Sequence, residues 1–345
     1  MAEDRSGINE ETVVPWLEAN VAGLTPPLEF SLIAGGHSNL TYKVTDAVGG
    51  AYVLRRPPLG QVLATAHDMG REHRIISALA PTKVPVAPAL AYCDDLDVNG
   101  APFYVMRFVE GHIVRDVASA EALSPAQRRT AGESLVDVMA DIHAVDPDEV
   151  GLGDLGRKEG YIERQLKRWY RQLKDSQTRE LPLLDEVHDD LLSNVPEQGP
   201  ASIVHGDYRL DNCMVDDDGR VNAVLDWEIC TLGDPLADLG LLMVYWSDPD
   251  DAVNALGTVS ATALDGFPRR AELLDRYAAA SGRDVSHVDY YMAFGYWKLA
   301  CIVEGVYARY KGGSMGQQGG FEHFEQQVVR LAESARAAVD RVPRG

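Results

Sequence analysis

The chain has 345 residues, 46% hydrophobic and 25% charged, which is the balance of a globular enzyme with room for two domains and not that of a disordered chain. With 53 acidic residues against 32 basic ones the formal net charge is -21, a field that repels nucleic acid and anionic membrane surfaces. Cys93, Cys213, Cys230 and Cys301 stand at no CxxC or metal-ligand spacing, the acidic start "MAEDRSGINEE" is unlike a secretory signal, and no apolar run approaches the roughly 20 residues of a membrane span, so a reduced, cytoplasmic setting is expected.

In chain order, a helix is expected over 10–22, followed by strand-like runs at 28–34, 40–46 and 51–56 that Gly-Gly pairs or a Gly-rich turn separate, as in an antiparallel meander. Residues 65–80 place Met69, His73, Ile76 and Ala80 at helical spacing before Pro81 and Pro85 stop the helix. "PALAYC" and "PFYVMRFV" complete a five-stranded sheet, and "EGH" at 110–112 turns the chain out of it. From 124 onward the pattern is helical: Leu135, Val138, Met139 and Ile142 form one stripe within 128–143, and further helices are expected over 234–247, 267–281, 286–310 and 321–341. No internal repeat is visible. The expected plan is α+β, with a β-rich N-terminal domain over 1–106, a connector at 107–111 and a larger, mostly helical C-terminal domain over 112–345.

One stretch, "IVHGDYRLDNCMVDDDGRVNAVLDWE" at 203–228, interrupts the helical half. Strand-like runs at 213–215 and 221–225 flank an Asp-rich, Gly-containing turn, a strong hairpin signal. Folding about 217–219 is expected to bring Asn212 and Asp226 side by side, with Asp207 on the loop leading in. A carboxylate and an amide oxygen converging there are the hard ligands that Mg²⁺ takes alongside phosphate oxygens and water. Asp207 is then free to accept a hydrogen bond from a substrate hydroxyl, a division of labour suited to phosphoryl transfer, where catalysis is mostly positioning and neutralisation of phosphate charge. An EF-hand reading of "DDDG" fails, because Met214 stands where the first acidic ligand belongs and Leu225 where the closing Glu belongs. A metal hydrolase using His205 and Asp207 lacks further histidines at ligand spacing.

"HGDYRLDN" resembles the catalytic loop of the aminoglycoside phosphotransferase and choline kinase group, small-molecule kinases with a two-lobed protein-kinase-like fold, and "LDWE" resembles the metal-binding segment that follows it. The resemblance implies that Asp207 is the catalytic base, that Asn212 and Asp226 hold Mg²⁺, and that Glu228 is a further ligand or a partner of one. It also implies a nucleotide-covering loop at "AGGHSN", with Ser38 and Asn39 donating to phosphates, and a phosphate-binding cation at Arg55, where relatives carry a lysine. Glu72 on the next helix would pair with Arg55, the backbones of Arg107 and Val109 would meet the adenine edge, and Met106 would lie beside the base. Asp238, in "LGDPLADLG", would brace the catalytic loop's backbone. ATP is thus the implied co-substrate and Mg²⁺ the implied cofactor.

The acceptor is less legible. The net charge of -21 favours a cationic acceptor such as an aminoglycoside or a choline-like amine. The basic segment 157–174, with seven basic and two acidic residues, would suit an anionic acceptor, or is a solvated amphipathic helix with Leu166 and Trp169 turned inward. Aromatic pairs at 169–170, 245–246, 290–291 and 296–297 are either core or acceptor-pocket lining, and Glu304 with the loop 311–320 is a candidate gate. "YVLRRPPLGQVLATAHDMGREHRIISAL" with "GAPFYVMRFVEG" is similar to the subgroup of these kinases found in acyl-CoA dehydrogenase-associated proteins, which implies a hydroxyacyl-CoA as acceptor. A nucleotide-binding regulatory protein with weak catalysis is the reading of a different class, suggested by Arg55 in the lysine position.

Overall fold

A computed structural model of the chain describes residues 6–34, 39–59, 67–251, 257–313 and 322–342. It divides into two compact units, Met1–Gly111 with Asn222–Ile229, and His112–Val221 with Cys230–Gly345.

The first unit opens with α1 (Glu10–Asn20) and a meander of β1 (Glu29–Ala34), β2 (Leu40–Thr45) and β3 (Ala51–Arg56), continues through α2 (Met69–Leu79), β4 (Ala89–Cys93) and the short α3 (Leu96–Asn99), and closes with β5 (Phe103–Arg107). The strands form one antiparallel sheet in the order β1-β2-β3-β5-β4. The two-residue period of a strand divides its side chains between two faces. Tyr42, Val44, Tyr52, Leu54, Phe103 and Val105 join Val13 and Leu17 of α1 in one buried core. The opposite face carries Arg55, whose cross-strand partner is Tyr104, and α2 packs against β4 and β5.

The expected stripe on α2 is rotated in the structure. Met69, Glu72, Ile75, Ile76 and Leu79 are buried, whereas Ala80 is exposed and His73 half-buried. A carboxylate therefore lies on the face that periodicity alone assigns to apolar side chains. Arg56, one position beyond Arg55, points the other way, is 6% exposed, and donates to the carbonyls of Gly7 and Asn99.

The second unit contains α4 (Val117–Glu121), α5 (Pro125–Ala144), α6 (Tyr161–Ser176), α7 (Pro182–Ser193), β6 (Ser202–Val204) and β7 (Cys213–Val215). After β8 (Val221–Val224) come β9 (Thr231–Gly233), α8 (Leu236–Tyr245), α9 (Arg270–Ser281), α10 (Val288–Lys311) and α11 (Glu322–Val339). A capping box of Ser124 and Gln127 with Pro125 in the first turn starts α5, which buries Leu135, Val138, Met139 and Ile142 as its stripe requires. α10 is the central helix, packed against α6, α7, α8 and α11. Gly240 lets α8 approach it, since a Cβ there would lie 2.5 Å from the Tyr291 backbone.

Residues 222–229, which the sequence plan assigns to the larger domain, cluster with the first unit. The cause is local: the Val224 amide donates to the Pro85 carbonyl at 2.8 Å and forms a parallel bridge with Val86. All four cysteines are free and buried. Among the described residues no helix is long and apolar enough to cross a membrane.

Candidate active site

In the first unit the charged groups gather around Arg55. Its Nε lies 3.0 Å from Glu72 Oε2 and its Nη2 2.7 Å from Asp226 Oδ1. Tyr104 Oη donates to Glu72 Oε2 at 2.9 Å. Burial works against the Arg55 charge, but the Glu72 and Asp226 carboxylates outweigh it and hold the guanidinium firmly protonated. Burial raises the pKa of Glu72, with Arg55 and the Tyr104 hydroxyl opposing. Asp226 adopts φ +61, a left-handed backbone that an aspartate tolerates better than most side chains but that still costs about 1 kcal/mol or more. Such strain is characteristic of functional positions.

Carboxylate oxygens of Glu72, Asp226 and Glu228 all lie within 4.8 Å of one another. A set of hard oxygen donors this close fits a divalent cation such as Mg²⁺. Asn39 does not present its amide hydrogens outward as the loop reading expects. It is 2% exposed and its Nδ2 donates to Glu72 Oε1 at 3.1 Å and to Glu228 Oε2 at 3.2 Å, because beside three carboxylates the amide NH₂ is the group that satisfies them. Ser38 lies outside the described residues. Met106 is half-buried near the end of β5, and Arg107 is exposed, its amide donating to Pro88 O at 2.9 Å and its guanidinium over the Tyr52 ring at 5.2 Å. Val109 follows two residues beyond the strand, half-buried.

In the second unit, β6 delivers the chain to His205, Gly206 and Asp207. Asp238, at the start of α8, accepts from the His205 amide at 2.7 Å and from the Gly206 amide at 2.8 Å, so the carboxylate expected to brace this loop does so. His143 Nε2 lies 3.4 Å from Asp238 Oδ2, and His143 Nδ1 lies 2.7 Å from the Tyr277 hydroxyl. Burial alone would raise the Asp238 pKa, yet the hydrogen bonds from His143 and the Gly206 amide leave it lowered. Below the loop, Tyr208 is fully buried and donates to the Leu135 carbonyl at 2.8 Å.

Asp207 itself is half-buried, its carboxylate at the surface of this anchored loop. Asn212 Nδ2 donates to the Asp207 carbonyl at 2.8 Å and to Asp207 Oδ2 at 3.0 Å, which leaves the amide oxygen of Asn212 as its unused ligand atom. Past it, the "DDD" segment is a turn: the Asp216 amide donates to Arg220 O at 2.8 Å, and the Asp216 side chain accepts from the amides of Asp218 and Arg220. Asp207 and Asn212 belong to the second unit, Asp226 and Glu228 to the first.

Two further residues of the site carry only a faint signal in the sequence. Arg209 lies 3.4 Å from Asp207 Oδ2 and 3.0 Å from Asp211 Oδ1, and is stacked 4.9 Å from the Tyr245 ring centroid. Its signal was a cation two residues from acidic groups on either side. Lys298 is buried and donates to Gly206 O at 3.2 Å; its signal was a single charge inside "YYMAFGYWKLAC". The same helix shows what most of the paired aromatics do, since Tyr290, Tyr291 and Trp297 are core residues, as is Trp246 of the α8 end.

A five-stranded antiparallel sheet followed by a mostly helical unit, with an HGDxxxxN loop braced from behind, defines a protein-kinase-like phosphotransferase. The family model described as "Phosphotransferase enzyme family" matches residues 29–285, and the chain belongs to that family. Acyl-CoA dehydrogenase family member 11 of Gallus gallus is 36% identical over 307 residues, which cover 87% of this chain and 39% of that protein. Family member 10 of Mus musculus is 35% identical over 289 residues, 83% of this chain and 27% of that protein. The chain thus spans well under half the length of these relatives. Among solved structures, a candidate aminoglycoside phosphotransferase of Ralstonia eutropha JMP134 superposes with a TM-score of 0.85 at 33% identity, covering 97% of this chain and 99% of the other.

Proposed function

We propose that the chain is an ATP- and Mg²⁺-dependent phosphotransferase that moves the γ-phosphoryl group of ATP to a hydroxyl of a small molecule, with a hydroxyacyl-CoA as the acceptor. The observation that carries the reading is the Asp207 carboxylate, half-buried on a loop whose preceding amides are anchored by a buried carboxylate. A base held in this way is preorganised to accept the hydroxyl proton as the oxygen attacks phosphorus.

The proposed roles follow from chemistry. Asn212, through its amide oxygen, and Asp226 are each proposed as metal ligands, with Glu228 as a supporting group; the oxygens of Glu72, Asp226 and Glu228, all within 4.8 Å of one another, support the part assigned to Asp226 and Glu228. Held there, Mg²⁺ would supply positive charge against the phosphate oxygens. Arg55 reaches the nucleotide phosphates while Glu72 orients it, and its fork lets Nε stay with Glu72 as Nη2 turns to another anion. Arg107 and Val109 offer backbone groups to the adenine and Met106 lies beside it, while Asn39 acts through the carboxylates of Glu72 and Glu228 that its amide holds.

A cavity of about 180 Å³ is lined by Arg115, Arg209, Asp211, Leu242, Tyr245 and Trp246 among others, and its Arg209 lies 3.4 Å from Asp207 Oδ2. Arg115, together with Arg209 that is already paired with Asp211, among Leu242, Tyr245 and Trp246, favours an acceptor with an aliphatic part and an anionic or neutral polar part. The exposed Lys167, Arg168, Arg171 and Lys174 of α6 add a cationic face for the CoA phosphates. The names of the curated relatives, acyl-CoA dehydrogenase family members 10 and 11, support an acyl-CoA connection. An aminoglycoside or another cationic hydroxyl compound is the second reading, favoured by the net charge of -21. The four free cysteines suit a cytoplasmic setting.

The deciding experiment incubates the protein with Mg-ATP and hydroxyacyl-CoAs, aminoglycosides, choline and sugars, and follows each acceptor by mass. A gain of one phosphoryl group on a hydroxyacyl-CoA is expected. Stabilisation by Mg-ATP with no acceptor modified would favour a regulatory nucleotide-binding protein instead.

A further inference from the structure

Lys298 is a charged residue in the middle of the central helix, 9% exposed. A buried ammonium is costly unless it is hydrogen-bonded and faced by opposite charge. Its Nζ donates to the Gly206 carbonyl at 3.2 Å and lies 5.8 Å from the Trp169 ring centroid. With Tyr161, Asp238 and Phe294 it borders a cavity of about 10 Å³, too small for any substrate and at the threshold for one water. The charged groups around it are Asp238 of α8, Asp207 of the loop and Arg168 of α6; burial lowers its pKa, the two carboxylates oppose the shift, and Arg168 adds to it.

We propose that Lys298 is a positioning residue for Asp207, holding the Gly206 carbonyl of the peptide unit that leads into the base while Asp238 holds the amide of the same residue. The inference rests on the proposed role of Asp207 and concerns how that group is held. Gly206 adopts φ +87, a conformation that glycine takes freely and other residues resist, so residue 206 has no side chain with which to anchor itself. Its backbone is fixed from outside instead. Asp238 holds the amides of His205 and Gly206, at 2.7 and 2.8 Å, and Lys298 holds the Gly206 carbonyl. That carbonyl shares one rigid peptide plane with the nitrogen and Cα of Asp207. Gripping both ends of residue 206 therefore fixes the origin and direction of the Asp207 side chain. Without the ammonium, the carbonyl would be left buried and unsatisfied, and the plane would be free to rotate toward another donor.

Three substitutions separate this role from packing. Lys298→Arg keeps charge and donor, Lys298→Gln keeps a donor without charge, and Lys298→Met keeps volume with neither. Donation to Gly206 predicts kcat in the order Arg, Gln, Met, with the methionine variant reduced about 100-fold, since a displacement near 1 Å at a reacting group has that effect, and with KM for ATP changed by less than about twofold. Deuterium exchange in the peptide 203–208 is expected to quicken in the methionine variant while α11 is unaffected. A packing role reverses the order, because methionine is the best apolar replacement for a buried charge and would be the most stable and most active. Wild-type kcat in Lys298→Met, or activity that follows thermal stability across the series, overturns the proposal. Lys298→Arg against Lys298→Gln gives the same decision should the methionine variant not fold. An Asp207→Ala variant run alongside is expected to be inactive; full activity there would remove the base reading itself, irrespective of Lys298.

Discussion

The two units hold their carboxylates in opposite ways. Around Arg55 the acidic groups share one guanidinium, one amide and the Tyr104 hydroxyl; Glu72 is buried, but the side chains of Asp226 and Glu228 remain 35% and 28% exposed. Behind Asp207 the supporting groups, Asp238, His143 and His205, are each 3% exposed or less and are tied to backbone amides and to one another. A part-exposed ion pair can exchange its partner at little cost, because water and other ions compete for it. A buried, hydrogen-bonded carboxylate cannot, since its loss strands several donors at once. Under the proposed function the difference suits two tasks: the first cluster would trade partners when phosphate and metal arrive, and the second would keep the base in a fixed place.

The sharpest way to break that contrast is at the base. Asp207→Ala is expected to lower kcat about 10³-fold while thermal stabilisation by Mg-ATP persists, because the loop's anchors do not include its carboxylate. Next in size, Asp238→Ala should destabilise the protein by about 3 kcal/mol in urea unfolding, since it strands two buried amides and His143. A much smaller loss would mean that the loop is held elsewhere.

In the first unit the effects should be milder. Arg55→Lys replaces a fork that spans Glu72 and Asp226 with a point charge that cannot span both, and Mg-ATP affinity measured by calorimetry is expected to fall about tenfold, or about 1.4 kcal/mol. The smallest effect is set by pH. Burial lowers the His143 pKa below its ordinary value, with Asp238 opposing. As pH falls through about 6.5, the unfolded chain therefore takes up a proton that the native state resists, and stability declines by at most about 1.4 kcal/mol per pH unit until the native pKa is reached. His143→Gln should flatten that slope in unfolding measured between pH 7 and 5.

Much of this is legible in the sequence. The meander, the helices from 124 onward, the turn in "DDDG" and the bracing role of Asp238 followed from periodicity, Gly placement and a family-like motif. The register of α2 was not, because periodicity treats a glutamate as a solvated position, whereas Arg55 and Tyr104 draw Glu72 inside and turn the helix by one position. Asn39 was expected to face phosphate for a similar reason: its sequence neighbours are a glycine loop, but its spatial neighbours are Glu72 and Glu228.

What the sequence determined by itself is the chemistry at hand: a carboxylate and an amide five residues apart, a second carboxylate on the far side of a turn, two successive arginines at the end of a strand, a lysine in an apolar stretch of helix. What only the tertiary structure decided is which partner each of these meets. Asp226 meets Arg55, 171 residues away, and Lys298 meets Gly206, 92 residues away. Local propensity acts over a few residues and fixes which groups are present on an element. Pairings at such separations depend on how whole elements pack, and that packing is what turns a set of charges into one exchangeable cluster and one rigid support.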